Sequence, residues 1–227
     1  MSDYEEWIDI VSKGEATVFR GQRKSWPLLP SISRERQFNK SFLLVEKVLF
    51  CAFKDEAKEC LHLQPESDWD WLVVGQHHGL PTRVLDWSQD PLVALWFALE
   101  EHKVEGSKPE VWALRVNGDD IIKNLKTNKP FQGTRTKLFH TNFKIPRVTK
   151  QKGCFVLFKY IKKIEFGFVS LENNPRLRGK IEKILISLRS VDEILEQLNS
   201  KGYCRESLFP NIDEVAKTIK NRILKIS

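Results

Sequence analysis

The chain has 227 residues, 41% of them apolar with 14 Phe and seven Trp, and carries 37 Lys and Arg against 30 Asp and Glu. That length fits one large domain able to bury a core without metal or disulfide staples, and the apolar content excludes a disordered chain. The longest apolar runs, such as residues 92–99, fall far short of the ~20 residues a membrane helix needs, so no membrane role is expected.

In chain order, residues 4–12 predict a short amphipathic helix with Trp7, Ile8 and Val11 on one face, ended by Gly14. Residues 16–20 read as a strand, and residues 25–33, with Pro27 and Pro30, as an ordered loop. Phe42, Val45, Leu49, Ala52 and Phe53 recur near helical spacing within a long helix over 35–60. A second helix is expected over 68–77 with Asp68 as its N-cap. Asp90-Pro91 is a clean start signal for a buried helix, with Asp at the N-cap and Pro at the first helical position. Strands are expected over 110–116, 154–160, 164–168 and 180–188, and helices over 191–200, stopped by Gly202, and 211–223. Strands and helices that do not alternate in β-α-β fashion predict an α+β fold. Without a repeat or linker, residues 1–227 read as a single compact domain, a mixed or antiparallel sheet with surrounding helices.

The acidic N-terminus lacks the apolar stretch of a secretory signal. Cys51, Cys60, Cys154 and Cys204 are scattered without a Cys-x-x-Cys pair, which fits a reducing, cytoplasmic setting better than a disulfide framework or a zinc site.

Charge is distributed unevenly. Residues 1–120 carry 14 basic and 21 acidic side chains, whereas residues 121–227 carry 23 basic and nine acidic. Residues 121–164 hold 12 Lys and Arg, no Asp or Glu, and the aromatics Phe131, Phe139, Phe143, Phe155, Phe158 and Tyr160. Cations interleaved with aromatics suit a phosphate-rich partner, RNA or DNA, through Lys126, Lys129, Arg135, Lys137, Lys144, Arg147, Lys150 and Lys152. The competing reading is a solvated lysine face over ordinary core phenylalanines, or a surface for a protein partner.

Two segments are too polar to be only packing. In Phe19-Arg20-Gly21-Gln22, a guanidinium at a strand edge suits an anionic ligand, and the glycine permits close approach of that ligand to the backbone. The alternative is an arginine that pairs a carboxylate. The second segment runs from Gln76-His77-His78-Gly79 through Pro81-Thr82-Arg83 to Asp86-Trp87, ahead of a helix N-terminus where anions are favoured. It reads equally as a hydrogen-bond network holding a turn, with Asp86 paired to Arg83 or Arg20. Adjacent histidines without a second cluster do not predict a metal site. No G-x-S-x-G, P-loop, G-x-G-x-x-G or H-E-x-x-H motif occurs.

These two segments, with Leu29-Pro30-Ser31, Pro91-Leu92-Val93-Ala94-Leu95-Trp96-Phe97-Ala98, Gln151–Phe155 and Ser207–Asp213, resemble the FRG domain over nearly the whole chain. A weaker resemblance is to ADP-ribosyltransferases, which place a strand bearing Arg-Gly, a Ser/Thr motif entering an Ala-x-x-Phe-Ala helix, a strand and a late Glu in that order. The late position here holds Gln151 where transferases usually carry Glu. The resemblance implies an ADP-ribosyltransferase-like fold and NAD as substrate, with no metal. It implies that Arg20, Gly21, Gln22, Thr82 and Arg83 bind the nucleotide. Asp86 or Gln151 would orient a ribose hydroxyl, and His78 would act as general base. FRG domains also resemble components of bacterial toxin and phage-defence systems, which implies a neutralising protein partner.

Overall fold

Six short segments pair into an antiparallel sheet, the inner strands alternating side chains between two buried faces. In this computed structural model, which describes residues 1–13, 16–35, 42–61, 63–164 and 167–210, the strands are β1 (Ala16–Gln22), β2 (Val84–Ser88), β3 (Glu110–Val116), β4 (Lys137–Phe139), β5 (Gly153–Leu157) and β6 (Ile181–Leu185). Their spatial order is β4-β5-β2-β1-β3-β6, every ladder antiparallel, so the fold is α+β with an open sheet. The helices are α1 (Ser2–Val11), α2 (Phe42–Glu56), α3 (Asp68–His77), α4 (Pro91–Leu99), α5 (Pro146–Lys150), α6 (Val191–Ser200) and α7 (Arg205–Leu208).

One face of the sheet carries two separate helical layers. Phe19, Val111 and Ala113 pack under α4, with Tyr4 and Val11 of α1 and Ile194 and Leu198 of α6 around it. Val84, Phe139, Phe155 and Leu157 pack under α2 and α3 through Phe50, Trp69 and Leu72. The opposite face buries Val18, Leu85, Trp87, Leu114 and Val156 beneath Leu28, Ile32, Phe168, Leu171 and Leu177, which come from loops and 3-10 turns.

The central seam is where the two layers part. β1 and β3 share a seven-residue register from Ala16↔Val116 to Gln22↔Glu110, but β1 meets β2 only at Phe19↔Ser88. Beyond that pair the strands diverge, and the Arg20 side chain donates from an Nη to the Asp86 carbonyl at 2.6 Å. A side chain thus bridges the two strands where backbone pairing has ended.

Several expectations are corrected. Ser67, not Asp68, caps α3, in a capping box with Asp70. The long second helix gives way to a 3-10 turn at Ala57–Cys60, and its expected first turn at 36–41 lies outside the described residues. Within 164–168 the described residues form no strand, and the helix expected over 211–223 and Gly14 lie outside the described residues. β2, β4 and α5 emerge from stretches that carried no prediction of regular structure. The 191–200 helix is present as expected, and Gly202 follows it at φ +85°, the left-handed conformation that closes a helix end. Among the described residues no helix is long and apolar enough to cross a membrane.

Candidate functional site

The gap between the helical layers is a cavity of about 250 Å³ directly over the seam. Asp86 lies at its floor, on the sheet face that α3 and α4 leave uncovered, so a carboxylate in a central strand remains exposed. It is the only carboxylate among the described residues lining this cavity. Its Oδ2 accepts from Gln76 Nε2 at 2.8 Å, Gln76 Oε1 accepts from the Thr82 hydroxyl, and Thr82 Oγ1 in turn accepts from Val84 N at 3.1 Å. Thr82 N donates to Ser31 Oγ at 3.0 Å, tying in the Pro30-Ser31 loop. The end of α3 is thereby pinned to the start of β2, with one Asp86 oxygen held by a neutral donor.

Arg20 enters from β1, His77 from the last turn of α3, Phe97 from α4, Arg147 from α5 and Gln151 from the turn after it. Gln151 Nε2 donates to Leu208 O at 3.0 Å, so it also fastens the segment that carries α7. The Arg20 Nε is buried without a hydrogen-bond partner. Burial lowers the Arg20 pKa to about 10, Asp86 opposing and Arg34 adding to the effect, so the guanidinium remains charged at neutral pH. Arg147 is also lowered by burial, with Asp86 opposing.

His77 is pushed below 6.5, first by burial and then by Arg147 and His78, with Asp86 acting the other way. It is therefore neutral at pH 7, the form that can accept a proton. An unfolded chain takes up that proton near pH 6.5 while the folded one resists it, so this stabilising contribution is lost as pH falls below that value. His77→Asn is expected to lose less melting temperature than the wild type between pH 7 and pH 5. Equal losses in the two proteins would show that the fold does not resist protonation at His77.

Of the predicted site residues, Arg20, Gly21, Asp86, Gln151 and Arg147 share this cavity. His78 is exposed outside it, its ring edge-on to His77 at 4.9 Å. Thr82 supports Gln76 from behind the lining. Gln22 is buried, donating to Trp26 O at 2.9 Å and to Glu110 Oε1 at 3.2 Å. Arg83 is 2% exposed and paired with Glu46 of α2, not with Asp86. Arg20 bonds the Asp86 carbonyl rather than its carboxylate.

Gly21 also makes room for a helix: a Cβ there would lie 1.8 Å from Ala94 O, in the backbone of α4. The N-terminus of α4 is likewise taken: Asp90 Oδ1 accepts from Leu92 N at 2.9 Å, and Oδ2 accepts from Lys152 Nζ and the Tyr203 hydroxyl. An anion expected at that terminus is already supplied by the chain itself.

Cys154 is fully buried and its thiol is pushed well up by burial, which excludes it as a thiolate nucleophile. Among the described residues no cluster of His, Cys, Asp and Glu could hold a metal ion. In the basic stretch Phe139, Phe155 and Phe158 are core, while Lys126, Lys129, Arg135, Lys144, Lys150 and Lys152 are exposed and Lys137 is partly buried. The buried rings offer no face for stacking on bases.

A second groove of about 420 Å³ adjoins the cavity, sharing Arg20, Gly21, Phe97 and Arg147 with it and adding Arg23, Trp26 and Arg34. The fold and this cleft define an α+β domain with an arginine-lined cavity at a split between two central strands. Residues 15–107 match the FRG domain family model. The match takes in Arg20, Gln76, His77 and Asp86, and ends before Arg147 and Gln151 complete the cavity. No curated protein and no solved structure matches the chain.

Proposed function

We propose that this protein is an NAD-dependent ADP-ribosyltransferase-like toxin or phage-defence effector whose acceptor is anionic, RNA or DNA. The observation that carries the reading is the cleft: one carboxylate and one neutral histidine at its inner end, with Arg20 and Arg147 between that end and an arginine-rich outer groove. A ligand that joins a sugar to a pyrophosphate fits this polarity, and the buried, unpartnered Nε of Arg20 is a donor awaiting an acceptor.

The reaction would break the nicotinamide–ribose bond, its electron pair leaving with nicotinamide, and form a bond from the acceptor to the anomeric carbon. Asp86, braced by Gln76, would hold a ribose hydroxyl and stabilise the developing cation. Gln151 would supply a second hydroxyl contact and carries no charge. His77, which lines the cavity, rather than the exposed His78, would accept the proton that the acceptor releases. Arg20 and Arg147 would hold the phosphates.

Incubation with labelled NAD and separate RNA, DNA and protein pools tests this directly. Label should pass to a nucleic-acid pool, and Asp86→Ala, an exposed position, should cut transfer on the order of a hundredfold or more while the melting curve stays near the wild type's. Absence of both label transfer and NAD loss would overturn the reading. The second reading, a non-enzymatic binding module, draws on the Val84–Thr82–Gln76–Asp86 chain of hydrogen bonds, which explains much of the motif as a structural network.

A further inference from the structure

The outer groove has features that the transferase chemistry does not use. Trp26 is 43% exposed there, although most of the tryptophans are buried. It is held in place: its N donates to Lys24 O at 2.8 Å, and its carbonyl accepts from Gln22 Nε2, itself fixed by the fully buried Glu110. The Arg23 guanidinium lies 5.5 Å from the Trp26 ring centre. Such a ring, half-exposed on a fixed backbone and flanked by a cation, is a stacking face presented to solvent.

The groove is also rich in cations. Arg23 is paired with Glu101, yet its Nε is buried without a partner, as is that of Arg20. The other lining carboxylate, Glu100, is taken by Arg205. Arg34 and Arg147 form no ion pair among the described residues; Arg34 has a long contact to Leu29 O at 3.5 Å, and Arg147 lies over the Phe209 ring at 4.1 Å. Arg20 and Arg34 repel one another. Placing like charges around one groove with buried donors unused is costly unless an anion joins them.

We propose that the outer groove is a nucleotide site, in which the base stacks on Trp26 and its phosphate is held by Arg34 with Arg20, Arg23 and Arg147. The same chemistry is offered by a free mononucleotide and by one unit of a single strand. This site lies apart from the exposed lysines of residues 121–164; it shares Arg20 and Arg147 with the proposed NAD phosphates but requires only binding, so failure of NAD turnover leaves it standing.

Two probes separate the sources: adenosine 5′-monophosphate and a short oligothymidylate, each titrated by calorimetry against the intact chain over a range of salt. Binding of the mononucleotide with the sensitivities below supports the site and assigns it to free nucleotides. Binding of the oligonucleotide alone supports it and assigns it to a strand. Trp26→Ala should weaken oligonucleotide binding by about 5- to 150-fold with little change in salt slope, and Trp26→Phe should restore most of it. Arg34→Ala should flatten the plot of log affinity against log salt by about 0.7. Lys126→Ala with Lys129→Ala, outside the groove, should leave the Trp26 effect unchanged. Failure of the wild type to bind either probe at low salt, or binding that Trp26→Ala and Arg34→Ala both leave intact, would overturn the proposal. Failure of NAD turnover alone would overturn only the transferase reading.

Discussion

Glu46→Ala should destabilise the fold by about 3–5 kcal/mol, lowering the melting temperature by roughly 6–20 °C. Glu46 is 3% exposed and Arg83 2%, and the carboxylate takes the Arg83 Nε at 2.8 and 2.9 Å, an Nη, and the Arg83 backbone N at 3.3 Å. Removing it leaves a buried guanidinium with no ion-pair partner among the described residues, facing the Phe131 ring 5.2 Å away. The ring's quadrupole is worth ~2 kcal/mol at best, well short of the desolvation cost. The pair joins α2 to the residue just before β2, three positions before Asp86, so its loss also loosens the floor of the cavity. Because much of the penalty is the stranded charge, the double variant Glu46→Leu, Arg83→Met should melt above Glu46→Ala. Thermal unfolding followed by circular dichroism decides the matter. A shift under roughly 4 °C for Glu46→Ala would put this pair among solvent-screened surface bridges.

That ion pair also marks how far sequence reasoning reaches. Arg83 stands in a motif that draws attention, but its partner lies in a helix 37 residues upstream and carries no local signal. Asp86 and Arg20 could be singled out because a carboxylate amid Val84, Leu85 and Trp87, and a cation after Val18 and Phe19, break apolar runs. β2 itself was hidden: five residues with a charge at their centre, entered through a Gly/Pro turn, look like loop until β5 pairs along their length. α4 was legible because its cap, its proline and its apolar run agree. The choice between His77 and His78 depends on where α3 unwinds, and neighbouring positions on a helix point about 100° apart. Trp26 and Arg34 sit in a proline-rich loop whose path only tertiary packing determines.

Gly21→Ala should be the most damaging glycine-to-alanine substitution among the described residues. Its Cβ would meet Ala94 O at 1.8 Å, Ala98 N at 2.7 Å and Ala94 C at 2.9 Å, all backbone atoms of α4. No side-chain rotation relieves a backbone clash, so α4 must lift from β1 or β1 must move into the seam. Leu95, Ala98 and Leu99 of that helix are fully buried, which leaves it nowhere to go without opening the core. Overpacking usually costs ~1–3 kcal/mol, and a contact this short belongs at or above the top of that range. Against a typical stability of ~5–15 kcal/mol, the expected result is a protein that is mostly insoluble or melts at least roughly 6–12 °C lower. Val93, Ala94 and Phe97 form one wall of the cavity, so whatever folds should also bind ligand poorly. Gly79→Ala is the control. That glycine has φ +85° and nothing within 4 Å of the added Cβ, so only backbone strain of ~1–2 kcal/mol applies. Soluble yield and melting temperature of the two variants, measured side by side, should rank Gly21→Ala far below Gly79→Ala. The opposite order, with Gly21→Ala stable and only ligand binding lost, would show that α4 yields and that the glycine is there for a ligand after all.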